Sequence, residues 1–140
     1  MVEQDVIKRI LVHLEEYLQD LDQIKLKHKL VEYKDNKVIR RYTERTLQIA
    51  IEACLDLANH IISYEGFREP VDYKDSFQVL LENEIISANL ADRLKRMAQF
   101  RNVVVHDYIK INPEIVYAIV HKNIPDIVAF AQNIEEKYLK

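Results

Sequence analysis

The segment Arg101-Asn102-Val103-Val104-Val105-His106-Asp107-Tyr108 sets a guanidinium, an amide, an imidazole, a carboxylate and a phenol beside an apolar run. Such types can bind an anion and move a proton, since imidazole titrates near neutral pH and guanidinium is a fixed fork of donors. Arg101 continues the spacing of Leu90, Leu94 and Met97, so its guanidinium is expected to be partly buried or to point into a cleft. Positions five apart on a straight helix lie about 140° around the axis and about 7.5 Å along it. Arg101 and His106 therefore meet only if the helix ends before His106, or if a second subunit completes the site. The β-branched run Val103–Val105 and the cap-like Asn112 favour an ending. A plain reading stands beside the chemical one, because Arg and His near a helix C-terminus also suit its negative dipole.

The elements that must position these residues are helical. Ile7, Leu11, Leu14, Leu18 and Leu21 alternate steps of four and three, the spacing of an amphipathic bundle helix. The polar stretch 32–37 reads as a turn, with Asp35 or Asn36 as N-cap. A second helix is expected over Lys37–Tyr64. Its centre is apolar nearly all round, with polar residues confined to a stripe of Arg45, Gln48, Glu52, Asp56 and Asn59. Such a helix must be covered on most sides, at a bundle centre or partly by a second subunit. Gly66 supplies its left-handed C-cap. After the loop 67–75 come a short helix over Ser76–Ile86, an N-cap at Ser87 and the helix bearing Arg101. Asn112-Pro113-Glu114 opens a fifth helix that Pro125 should kink. No repeat or internal boundary interrupts residues 1–140, which predicts a single all-α domain: an antiparallel, up-and-down four-helix bundle with an additional short helix.

Composition closes other routes. The chain has 140 residues, 49% hydrophobic and 31% charged, with a formal charge of −3, which suits a folded core. One Gly leaves no Gly-rich phosphate loop, and one Cys leaves no internal disulfide. No run is long and apolar enough for a membrane span, and the charged N-terminus lacks a signal-peptide core, so a cytoplasmic protein is expected. Cys54 reads as a small core residue. His13, His28, His60 and His121 lack the partners of a zinc site, so no metal is expected.

The segment Arg101–Tyr108 matches an R-x4-H-x-Y motif, and here the chain resembles the HepT-like branch of the HEPN superfamily. The likeness covers nearly the whole chain: 41–62 resembles that family's second helix, 66–86 its connecting loop and short helix, and 90–108 its motif helix. The resemblance implies a single HEPN domain that acts as the ribonuclease toxin of a type VII toxin–antitoxin system. Such enzymes need no metal and no cofactor: the RNA 2′-OH attacks the adjacent phosphodiester, leaving a cyclic phosphate and a 5′-OH. On that pattern His106 is the general acid or base, Arg101 grips the phosphate, and Asn102 supports one or the other. The family pairs as homodimers with both motifs lining one cleft, and its partner is an MntA-type nucleotidyltransferase antitoxin. Tyr108 matches the tyrosine that this partner AMPylates.

Arg93, Lys95 and Arg96 could guide RNA toward the cleft or form a solvated face. Arg40, Arg41 and Arg45, with Glu44 among them, read as helix-surface ion pairs. Competing readings are a catalytically silent HEPN subunit that docks the nucleotidyltransferase, and a regulatory subunit whose Arg and His grip a nucleotide.

Overall fold

Ile7, Leu14 and Leu21 are buried and Leu11 and Leu18 half-buried, so the first apolar stripe packs as its spacing requires. They lie on helix α1 (Val2–Lys27) of a computed structural model that describes residues 2–107, 109 and 111–140. The stretch read as a turn holds a short helix instead, α2 (Leu30–Asp35). Six residues give too little periodicity to detect, and its buried Tyr33 anchors it against Tyr117, ring centroids 5.4 Å apart. Asn36 then caps α3 (Lys37–Glu65), its side chain accepting from the Ile39 amide at 3.0 Å. Gly66 ends α3 in the left-handed region (φ 71°), where any other residue would be strained.

Helix α4 spans Tyr73–Glu82, earlier than the expected Ser76–Ile86. Asp72 causes the shift, because its carboxylate accepts the Asp75 amide at 2.7 Å and starts the helix there. Ser87 caps α5 (Ala88–His106) as expected. The β-branched run stays helical, so α5 does not end before His106. Val104 in that run is buried, and burial of a β-branched residue can outweigh its weak helix propensity.

Asn112 and Pro113 open the next helix as expected, but it does not continue through a kink. The chain breaks at Asn123 into α6 (Pro113–Lys122) and α7 (Ile124–Tyr138). Pro125 sits in the first turn of α7, where the missing amide hydrogen breaks no helical bond. These are seven helices and no strand among the described residues. α1 packs on α3 and α7, and α5 packs on the same two, which closes the four-helix bundle. α3 touches every other helix, and Leu47, Ala50, Ile51, Leu57 and Ala58 are fully covered within the chain. Its apolar surround is that of a bundle-centre helix.

Candidate active site

On α3, Arg41, Arg45, Gln48, Glu52, Asp56 and Asn59 recur at steps of four and three and share one face. That face turns toward α4 and α5, and what it meets there is Arg101. The Arg101 side chain is 14% exposed, half sunk as the continuation of the α5 core stripe demands. Its Nε and Nη2 donate to one oxygen of Glu52, Oε2, at 2.9 and 2.7 Å. Gln48 donates to the same oxygen at 3.2 Å. The guanidinium carbon lies 4.8 Å from the centroid of the Tyr73 ring, a cation–π contact from α4. Nη1 donates to the Asn102 side-chain oxygen at 3.2 Å. Arg101 is thus gripped by a carboxylate on one side and an aromatic face on the other, which fixes its fork before any anion arrives.

His106 is the last residue of α5, exposed, and bonded to no described side chain. Because the helix is continuous between them, Arg101 and His106 stand about 140° apart around α5, about 7.5 Å along it. One chain therefore does not bring them together, and the alternative in which α5 ends early is excluded. Asn102 lies one turn before His106 on the same face while bonded to Arg101, and so spans the two. Tyr108 lies outside the described residues.

Two of the three basic residues expected to guide RNA bridge helices. Arg93 pairs with the mostly buried Asp126 on α7 at 3.2 Å, and Lys95 bonds Gln78 on α4. Arg96 is exposed, with no ion pair or hydrogen bond to a described residue. The surface ion pairs expected around Glu44 do not form among the described residues. Arg40 donates to the Lys34 carbonyl instead, while Arg41 and Arg45 are exposed on the face that leads to Glu52. The Glu44 carboxyl is pushed above its usual range by burial, with Arg40 and Arg41 opposing the shift.

Glu52 and Tyr73 are contacts of Arg101 that sequence reasoning missed. A signal for Glu52 existed, because a polar stripe on an otherwise apolar central helix must face polar partners. Asp56, one turn on, has its carboxyl raised by burial and then by the charge of Glu52. Tyr73 carried no signal; its place follows from the Asp72 cap. Arg68 spans α4, with forked bonds of 2.8–2.9 Å to Asp75 in its first turn and to Glu82, its last residue. Ser76 ties α4 to α3 through Asn59 Oδ1 at 2.8 Å. Cys54 is buried and its thiol is pushed up to about 12 by desolvation, which leaves it inert at neutral pH.

A guanidinium held by a carboxylate and an aromatic ring, an adjacent amide and an exposed imidazole are groups that can neutralise a phosphate and move a proton. The family model described as "Ribonuclease HepT-like" matches residues 14–134. The chain is 39% identical over 89 residues to the mRNA nuclease HepT of Shewanella oneidensis, spanning 64% of this chain and 67% of that protein. It is 27% identical over 113 residues to the tRNA nuclease HepT of Aphanizomenon flos-aquae, spanning 81% and 71% of the respective chains. Among solved structures, a tri-AMPylated Shewanella oneidensis HEPN toxin in complex with an MNT antitoxin superimposes with a TM-score of 0.88. That match has 30% identity and covers 94% of this chain and 98% of that one.

Proposed function

The chain belongs to the HepT-like ribonuclease family, and from that membership and the clamped guanidinium of Arg101 we propose that it is an endoribonuclease toxin. The observation that carries this reading is the double hold on Arg101 by Glu52 and Tyr73. A held fork loses no orientation on meeting a phosphate, the kind of preorganisation that lowers a charged transition state.

The reaction needs no metal. A histidine removes the proton from the RNA 2′-OH, the 2′-oxygen bonds to phosphorus, and the bond to the 5′-oxygen breaks. A second acid protonates the departing 5′-oxygen, leaving a 2′,3′-cyclic phosphate and a 5′-OH. Arg101 balances the charge that builds on the phosphate oxygens, and Asn102 holds the guanidinium toward them. His106 is the only histidine in the motif, so a homodimer supplies the acid–base pair: His106 of one protomer and the partner subunit's His106. Their separation from Arg101 around α5 is the physical reason for the dimer.

The neutralising partner is an MNT-type nucleotidyltransferase, as in the Shewanella oneidensis complex, and the acceptor of AMP is Tyr108. No helix among the described residues is long and apolar enough to cross a membrane, and a toxin acting on RNA with an ATP-dependent antidote works in the cytoplasm. Expression of the chain with and without the nucleotidyltransferase tests the reading. Growth arrest with RNA fragmentation is expected for the chain alone, relieved by the partner. Unimpaired growth and intact RNA on expression alone would favour the silent docking subunit.

A further inference from the structure

A cleft of about 350 Å³ opens between α3, α4 and α5, lined in part by Tyr73 and Asn102, both of which contact Arg101. Asn59, Pro70, Tyr73, Ser76 and Asn102 are among its walls. Its volume falls at the lower end of what small-ligand sites occupy. Tyr73 is an exposed residue, 45% accessible as a whole although Arg101 lies over one face of its ring.

The two amide side chains of this cleft are each held by a neighbour. Ser76 donates to Asn59 Oδ1 at 2.8 Å, and Arg101 Nη1 donates to Asn102 Oδ1 at 3.2 Å. Both amide oxygens are engaged, which leaves both NH2 groups to donate. The Asp72 carboxylate also lines the cleft and can accept, one of its oxygens already holding the Asp75 amide. Donors beside an acceptor and an open aromatic face match a nucleobase edge and plane. A phosphate is disfavoured by the Asp72 charge, whereas Arg101 next door favours one.

We propose that this cleft seats one unpaired nucleobase of the RNA, stacked on Tyr73 and bonded at its edge by Asn59 and Asn102, while Arg101 takes the neighbouring phosphate. The assignment rests on the ribonuclease reading and deepens it. It makes the substrate single-stranded at the cut and gives the enzyme a grip on the base next to the scissile bond. Asn102 then links the subsites, its oxygen on the phosphate-binding arginine and its amide on the base.

The test compares single-stranded RNA oligonucleotides that carry one abasic ribose at successive positions around the cut, cleaved by wild type, Tyr73→Leu and Tyr73→Phe. Stacking of one base changes binding by roughly 10–100-fold. Wild type should lose about that factor in kcat/KM at one abasic position. Tyr73→Leu should lose it on intact RNA and show no further loss on the abasic strand. Tyr73→Phe keeps the ring and should keep the positional abasic loss. Mere support of Arg101 by Tyr73 would instead leave Tyr73→Leu slowed relative to wild type on intact and abasic strands alike. Equal cleavage of intact and abasic strands by wild type would overturn the subsite and leave the ribonuclease reading standing. No cleavage of any RNA by wild type would overturn both. Should Tyr73→Leu fail to fold, the abasic series on wild type and Tyr73→Phe still decides.

Discussion

Arg101 on α5 sends two nitrogens, at 2.9 and 2.7 Å, to the same oxygen of Glu52 on α3. A forked ion pair at 14% and 30% side-chain exposure is shielded enough to hold its geometry and wet enough to exchange partners. Glu52 therefore has opposite effects: it aims the guanidinium and it repels the phosphate that must approach.

Glu52→Gln separates them. The amide keeps the shape but loses charge assistance, so the Arg101 fork loosens while the nearby negative charge disappears. Cleavage kcat should fall about tenfold, within the range that small misplacements cost. The Kd for RNA should be unchanged or tighter. A variant that binds RNA more weakly and cuts it at the wild-type rate would contradict the positioning role.

The Arg68 clamp predicts an acid-sensitive brace for α4. The Arg68 guanidinium, aided by the Val71 amide, holds the Asp75 carboxyl down at about 2, against an ordinary 3.8. A carboxyl depressed on folding stabilises fully above its ordinary pKa and loses that contribution as pH falls through the depressed one. Wild type should thus melt above Arg68→Ala at pH 6, and the gap in Tm should close between about pH 4 and 2. A gap constant across that window would show that the clamp does not set the brace.

Much of the architecture was readable because its signals are local and strong. Asn36, Ser87 and Asn112 each cap the helix expected of them, and Gly66 takes the left-handed position that ends α3. What was not readable depends on tertiary partners. α2 is too short for a periodic signal and exists because Tyr33 has a pocket to fill. Pro125 breaks the last helix in two instead of kinking it, since Asn123 can end one helix and start another. Within the site, the partial burial of Arg101 followed from its place in the α5 stripe. Its hold by Glu52 did not, because 49 residues separate a pair that only the α3–α5 packing brings together.

The position of His106 on a continuous α5 predicts the assembly. Scattering at working concentration should give twice the chain mass, with both motif faces of α5 lining one groove. A monomer, or a dimer with the two motifs on opposite outer faces, would break the acid–base pairing.

Control by the partner should act through one hydroxyl. Incubation with the nucleotidyltransferase and ATP should add AMP to the wild-type chain and none to Tyr108→Phe, read as intact mass. The modified chain should bind RNA more weakly and with a shallower salt dependence, because the attached phosphodiester competes for Arg101. An adduct that persists on Tyr108→Phe would place the modification elsewhere.

On the proposed reading, Arg101 and His106 perform a metal-independent transesterification. Cleavage of single-stranded RNA in excess EDTA, by wild type, Arg101→Ala and His106→Ala, tests it most directly. His106 is exposed and Arg101 half sunk, so both variants should keep the helical spectrum of wild type. Wild type should cut and leave 2′,3′-cyclic phosphate ends, while each variant should lose roughly 10²–10⁴-fold in rate. A folded His106→Ala variant that cuts at the wild-type rate, or wild-type activity that EDTA abolishes, would contradict it.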